Sequence, residues 1–331
     1  MISEPTPQAI RAAVDLLARG ELVAFPTETV YGLGADVLDD AAVRRIYDIK
    51  GRPPGHPLLV HVHGRDGIDH FAARKPEWVD RLVDAFWPGP LSIVLPRRAN
   101  VAAVASGGLP TVGIRCPSHP VARQLLKACE ELRDPILGLP APSANHFGRV
   151  SPTRAAHVTA EFGDRLFVLD GGACDIGIES TIIDCTRDVP VILRPGAITG
   201  AQIEQATGIR ALSREEVRGP VPQVSGSLEA HYAPRARVVL YDRAELQAHL
   251  LSVAQPGLVA AWGSPDLHRP DGLAAFAAMP RQPLEAARDL YDLLRRFDDL
   301  RVLDIAIELP PPGHEWDGVR DRLLRAAAAF R

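Results

Sequence analysis

Apolar positions along the chain recur in two spacings, one helical and one of short continuous runs, and they divide it into elements. Ile10, Val14 and Leu17 repeat at three- and four-residue intervals between Pro7 and Arg19, which predicts an amphipathic helix ended by Gly20. Leu22–Phe25 and Leu58–Val62 are apolar runs of strand length. Between them lie a turn-rich segment and an amphipathic helix that closes at Lys50-Gly51-Arg52. A helix opened by Pro76 runs to Phe86 and is broken by Trp87–Pro90. Leu91–Leu95 and Thr111–Arg115 read as strands, and His119–Glu131 as a helix. Ser151 is the expected N-cap of a helix reaching Glu161. Strands follow at Leu166–Leu169, Thr181–Asp184 and Val191–Arg194, the first two separated by a glycine-rich turn, and Pro195-Gly196 stops the last.

From Gly208 to Ser227 the periodicity fails and Gly219, Pro220, Pro222 and Gly226 appear, which is linker chemistry. Beyond it strand and helix alternate: Ala236–Tyr241, Arg243–Ser252, Leu258–Trp262, Leu284–Phe297, Val302–Glu308, Gly318–Ala329. That alternation predicts a small parallel sheet with covering helices. The expected organisation is a first domain over 1–207, a linker over 208–234, and a smaller Rossmann-like α/β domain over 235–331. No GxGxxG occurs in that last domain, so no dinucleotide is assigned to it. The first domain is α/β or α+β with a twisted sheet and a concave face; periodicity alone leaves its strand order open.

A length of 331 residues supports two cores rather than one. A formal charge of −4 gives no broad basic face for nucleic acid or membrane, so any RNA contact has to be local. No apolar run approaches the ~20 residues a membrane helix needs. Cys116, Cys129, Cys174 and Cys185 show no CxxC or paired ligand spacing, and Met1–Arg19 is too charged for a secretory leader. Reduced thiols and a cytoplasmic location are expected. Among 37 basic residues only Lys50, Lys75 and Lys127 are lysines, which makes Lys50, in its Gly/Pro-rich loop, stand out.

Short polar clusters sit at strand ends or in Gly/Pro turns, where donors stay free for a ligand. They are Thr27/Thr29, Lys50/Arg52, His61, Thr111/Arg115, Ser143/Asn145, Ser151, Ser180/Thr181 and Arg194. The set is rich in cations and hydroxyls, with no Ser-His-Asp or Cys-His arrangement and no dense carboxylate pair. Such a site suits phosphoryl or nucleotidyl transfer, where catalysis is mostly positioning and charge neutralisation. Walker A and kinase motifs are missing. His61 and His63 share a strand face but lack a third ligand, so no protein-held metal is expected.

In matching order, FPTETVYGLGADV, KGRPPGHPLLVHV, TVGIRCP, APSANHFGRVSPT, GIESTIID and LRPGAIT resemble the YrdC-like family. AHYAP and the tail GVRDRLLRAA resemble its long two-domain form. The resemblance implies a YrdC-like twisted mixed sheet and the conversion of L-threonine, bicarbonate and ATP to threonylcarbamoyl-AMP, pyrophosphate and water. That is the first step of N6-threonylcarbamoyladenosine formation in tRNA, with Mg2+ carried on ATP and the product passed to a separate transferase complex. The signature lysine, arginine, serine and asparagine are Lys50, Arg52, Ser143 and Asn145, of which Lys50 and Arg52 are the implied catalytic pair. Arg52, Thr111, Ser143, Asn145, Ser151 and Arg194 match nucleotide contacts, and His56 stands at another, where the family commonly has Asn. Thr29, His61, Arg115 and Ser180 match threonine contacts, as does Ala141 through its backbone. Tyr232 matches a linker residue that reaches back over the nucleotide. Two rival readings are a carbamoyl transferase built on the same domain, disfavoured by the missing cysteine-ligand spacing, and an RNA-binding module without catalysis, disfavoured by net negative charge and 5% aromatic residues.

Overall fold

The computed structural model describes residues 1–331, which divide into two compact units. The larger comprises Met1–Phe147, Ser151–Asp175 and Glu179–Ser227; the smaller comprises Gly148–Val150, Ile176–Ile178 and Leu228–Arg331. The segment Gly208–Ser227 therefore folds with the larger unit, while Leu228–Pro234 belongs to the smaller.

In the larger unit β1 (Ile2–Ser3) precedes α1 (Pro7–Ala18), β2 (Val23–Phe25) and β3 (Gly32–Gly34). The α1 helix starts where Thr6 accepts from the Ala9 amide at 3.2 Å with Pro7 in the first turn, and it buries Ile10, Ala13, Val14 and Leu17. Asp39 caps α2 (Asp40–Lys50) through the Ala41 and Ala42 amides. That helix ends at Gly51 in the left-handed region, φ 63°, which lets the chain turn at once into the Arg52 loop. There follow β4 (Leu59–His61), α3 (Gly67–Phe71), α4 (Trp78–Phe86), β5 (Leu91–Pro96), β6 (Thr111–Arg115), α5 (Pro120–Glu130) and β7 (Leu139–Pro140). The unit closes with α6 (Ala155–Phe162), β8 (Phe167–Leu169), β9 (Thr181–Asp184), β10 (Val191–Arg194), α7 (Gly200–Thr207) and β11 (Leu212–Ser213).

These strands form two mixed sheets, one ordered β1-β8-β2-β3 and one of seven strands ordered β11-β10-β9-β5-β6-β4-β7. In the second sheet β5 lies antiparallel to β6 and parallel to β9, and β6 lies parallel to β4. This register sets His61 beside Arg115 and Ser92 on the other flank of Arg115, an arrangement no local pattern encodes.

The N-cap expected at Ser151 does not form. The helix α6 begins at Ala155 with Arg154 in the cap position, and the Ser151 hydroxyl donates to Glu179 Oε1 at 2.5 Å. The side chain expected to cap the first turn is held instead by the buried Glu179 carboxylate, and the helix starts four residues further on. The short strands β1, β3, β7 and β11 and the helix α7 had no counterpart in the periodicity. Runs of two or three strand residues are too brief to show one.

The smaller unit is a four-stranded parallel sheet of β12 (Arg237–Tyr241), β13 (Val259–Gly263), β14 (Ala275–Ala278) and β15 (Asp304–Glu308), ordered β12-β15-β13-β14. Its helices are α8 (Arg243–Ser252), α9 (Pro283–Asp299) and α10 (Asp317–Ala328). Along α9 the buried stripe is Ala286, Ala287, Leu290, Tyr291, Leu294 and Phe297, the three-four spacing of a helix with one face inward. Each fully buried leucine in such a stripe contributes about 1.5–3 kcal/mol. The strand β14 went unread because AFAA sits between Gly/Pro-rich segments and is only partly buried.

Candidate functional site

Buried polar side chains gather at the strand ends of the larger unit. Lys50, the last residue of α2, is 3% exposed, and its ammonium donates to the Ser143 carbonyl at 2.6 Å and to the Asn145 carbonyl. Burial, and then the Arg52 charge beside it, hold its pKa well below the usual ammonium range. The helix dipole therefore does not account for this lysine, which is turned inward onto another loop. The contact uses the Ser143 backbone, while the residue itself bridges to Gly32 of β3. Asn145 donates from Nδ2 to the His146 carbonyl.

Arg52 donates from Nη2 to the Pro57 carbonyl and to Ser225 Oγ, both at 2.9 Å, and its guanidinium lies 5.6 Å from the Phe147 ring centre. His56 meets the edge of that ring at 5.5 Å, and burial with the Arg52 charge lowers its pKa from the ordinary histidine value. Ser225 in turn donates to Pro57 and offers its carbonyl to Arg194 Nη1 at 3.1 Å. Arg194 also holds the Ser180 carbonyl, at 2.9 Å, and its hydroxyl, at 3.2 Å. At Gly196 a Cβ would stand 2.5 Å from the Thr181 amide, so only glycine lets the chain after Arg194 lie against the Ser180 segment.

The Ser180 hydroxyl is 2.8 Å from that of Ser92 on β5, and Ser92 is the cross-strand neighbour of Arg115. Arg115 is 3% exposed; it donates from Nη1 to Thr29 Oγ1 at 2.8 Å and pairs through Nη2 with Glu28 Oε1 at 2.7 Å. On its other flank His61, buried, places Nδ1 3.3 Å from the Leu59 carbonyl. Burial first and the Arg115 charge second push the His61 pKa down to about 3, so the ring is neutral across the physiological range. Ala141, buried beside it, donates its amide to Leu59.

Thr29, Arg115 and His61 thus form one group with Ser180 reached through Ser92, Arg52 and Arg194 a second joined through Ser225, and the Arg194–Ser180 bonds connect them. Lys50 binds the Ser143–Asn145 loop and is coupled to Arg52 by charge. Thr111 begins β6, four residues from Arg115 and on the same strand face, about 13 Å away. It lies beside Ser225, bordering a cavity of about 10 Å³. Tyr232 belongs to the smaller unit, where it is 1% exposed with φ 62°; its ring centre lies 4.1 Å from that of His231 and 5.3 Å from the Arg322 guanidinium.

Sequence reasoning missed Glu28, Glu179, Ser92 and Phe147. The first two are buried carboxylates paired with Arg115 and Ser151, so the site is less poor in acids than its motifs suggest. A signal existed for Glu28, an acid between two hydroxyls directly after a buried strand. None existed for Ser92, which is one hydroxyl inside an apolar run.

A mixed-sheet α/β unit whose strand ends collect guanidinium, ammonium and hydroxyl groups is an anion-binding protein by class. Residues 15–196 match the Sua5_yciO_yrdC family model, described as telomere recombination, and residues 198–328 match the threonylcarbamoyl-AMP synthase C-terminal domain. The chain is 37% identical to the Bacillus subtilis threonylcarbamoyl-AMP synthase, over 98% of this chain and 94% of that protein. It is 42% identical to the Pyrococcus abyssi threonylcarbamoyl-AMP synthase, over 70% and 68%. The crystal structure of Pyrococcus abyssi Sua5 complexed with L-threonine superposes with a TM-score of 0.89 at 34% identity, covering 99% of this chain and 97% of that one. The chain belongs to the Sua5/YciO/YrdC family, in the form that carries the synthase C-terminal domain.

Proposed function

We infer that this chain is a threonylcarbamoyl-AMP synthase, converting L-threonine, bicarbonate and ATP to threonylcarbamoyl-AMP, pyrophosphate and water. The observation that carries the reading is that Arg115, bonded to Thr29, stands beside Ser92 in the sheet register, while the Ser92 hydroxyl meets Ser180, held by Arg194, which Ser225 links on to Arg52. It supports an amino acid and a nucleotide lying side by side. Arg115 pairs the threonine carboxylate, for which a guanidinium fork is suited. His61, neutral, joins Thr29 and Ser180 in receiving the threonine hydroxyl. Pairing that hydroxyl in a buried site rejects an analogue that lacks it.

The threonine amine, once neutral, takes up bicarbonate carbon with loss of water to form the carbamate. A carbamate oxygen then attacks the α-phosphorus in line, and pyrophosphate departs as the P–O bond to the β-phosphate breaks. Lys50 and Arg52 neutralise charge on the phosphates; Arg194, Thr111, Ser143, Asn145, Ser151 and His56 place the nucleotide. The donor set is one of cations and hydroxyls, which fits phosphate rather than a protein-held metal, so Mg2+ arrives on the triphosphate and shields its charge. The product passes to a tRNA threonylcarbamoyl transferase complex in the cytoplasm, with at most a weak direct contact to tRNA.

Pyrophosphate release measured with each substrate omitted tests the reading, alongside mass spectrometry of the product. Release that depends on both threonine and bicarbonate, with a threonine-containing adenylate, is the expected result. Release indifferent to threonine overturns it.

A further inference from the structure

Arg115 is hydrogen-bonded at two of its nitrogens, and the third stands against Glu28 as an ion pair that leaves both facing atoms without a hydrogen bond. Nε faces the Gly89 carbonyl at 3.4 Å, Nη1 donates to Thr29 Oγ1, and Nη2 lies 2.7 Å from Glu28 Oε1. The second Glu28 oxygen accepts from the Ser118 amide at 3.1 Å. Both side chains of this ion pair are more than nine-tenths buried, at 4% and 6% exposure. Burying an ion pair is costly, and a lone buried guanidinium costs more.

Thr29 has its proton committed. Thr27 donates to the Val30 carbonyl at 2.7 Å, so the 2.8 Å contact between the two hydroxyls has Thr29 as donor. Thr29 then presents only a lone pair, and Arg115 already uses one. Beside the pair, His61 is neutral and burial raises the Cys116 thiol to about 11, while the nearest further cations are Arg123, 3.0 Å from Cys116 Sγ, and Arg194, 3.2 Å from Ser180 Oγ. The Glu28–Arg115 pair cancels its own charge. A bound L-threonine is a zwitterion, also of zero net charge.

We propose that Glu28 is a positioning residue of the threonine site: as the fixed counter-ion of Arg115 it holds the guanidinium in place and cancels its charge, selecting a zwitterionic amino acid over the corresponding anion. The inference rests on the reading of Arg115 as the partner of the threonine carboxylate. It explains why an acid stands against the group meant to bind an acid. Glu28 meets the guanidinium at Nη2 and is held from its other oxygen by the Ser118 amide.

The test compares binding of L-threonine with that of 2,3-dihydroxybutanoate, in which a hydroxyl replaces the ammonium, by calorimetry on the full chain. Glu28→Gln keeps the shape and removes the charge. One unit charge at about 6 Å and an effective dielectric near 20 corresponds to a shift of about ten- to a hundredfold in the threonine-to-anion affinity ratio. That ratio is expected to fall at least about tenfold, while KM for ATP stays within about twofold and Glu28→Asp restores part of the preference. A ratio unchanged in Glu28→Gln, or threonine and ATP KM values rising together, overturns the proposal. Should Glu28→Gln not fold, the wild type decides: a preference for threonine of at least about tenfold supports the proposal, and equal or tighter binding of the anion overturns it. Arg115→Gln separates the two readings. Wild-type threonine affinity in that variant defeats the threonine-site assignment itself, whereas lost binding there with an unchanged ratio in Glu28→Gln defeats only the role of Glu28.

Discussion

The two units treat buried polarity in opposite ways. In the larger, Thr27, Glu28, Lys50, Arg52, Arg115 and Arg194 are among many polar side chains sealed from solvent; in the smaller, His231 and Arg322 are the buried polar residues. Its sheet is regular, wholly parallel and filled by Leu246, Trp262, Leu290, Leu294 and similar groups. Each polar burial needs a partner or it destabilises the fold. A unit that carries many of them gives up stability for chemistry, whereas one that carries few is built to hold its shape.

Substitutions that separate stability from activity break or sharpen this contrast. The largest expected effect is on the smaller unit's core. Trp262→Ala empties a site 1% exposed, and denaturant unfolding should show a loss of about 3–5 kcal/mol with kcat per folded molecule nearly unchanged. A kcat falling in step with stability would give the smaller unit a direct part in the chemistry. Lys50→Met should do the reverse. Removing one preorganised charge should cost about 10²–10³ in the rate of pyrophosphate release. Thermal stability should hold or rise, because the ammonium is buried at a cost that its lowered pKa records. A sharp drop in Tm would make Lys50 a structural residue.

The next effect is the pH dependence of His61. Its folded pKa lies near 3, below the ordinary value of 6.5, so the unfolded chain binds the proton more readily. Its contribution is fully present above pH 6.5 and is lost as pH falls toward 3, with a slope approaching about 1.4 kcal/mol per pH unit. Urea titrations at pH 6 and pH 4 should show the wild type losing more stability than His61→Gln, and parallel losses would contradict it. The smallest effect is expected at Ser225, which meets Arg52 and Arg194 at the partly buried edge of the cluster. Ser225→Ala should lower stability by about 0.5–1.5 kcal/mol, read from the urea midpoint.

Much of the fold was legible along the chain. The helices α1, α5 and α9 have strong periodicity, the first with a stop at Gly20, and the longer strands are apolar runs between Gly and Pro. The break at Gly208–Ser227 marks where periodicity stops, yet those residues pack with the larger unit: β11 pairs with β10 and Ser225 binds two arginines. Linker composition reports the lack of an amphipathic face, not the lack of partners. Ser151 misled because hydroxyls cap helices often, and the distant Glu179, invisible in the local pattern, holds this one.

By itself, the amino-acid sequence determined the element types, the division of the chain and the residue kinds from which the site is made, because caps, turns and amphipathic periods act within a few residues. Only the tertiary structure decided which of those residues meet. The order β5-β6-β4 sets Ser92, Arg115 and His61 in one row, Ser180 just before β9 bonds to Ser92, and Glu28 turns onto Arg115 from a loop far away in the chain. Such pairings arise from sheet register and from the need of each buried charge for a counter-ion, which are properties of the folded whole.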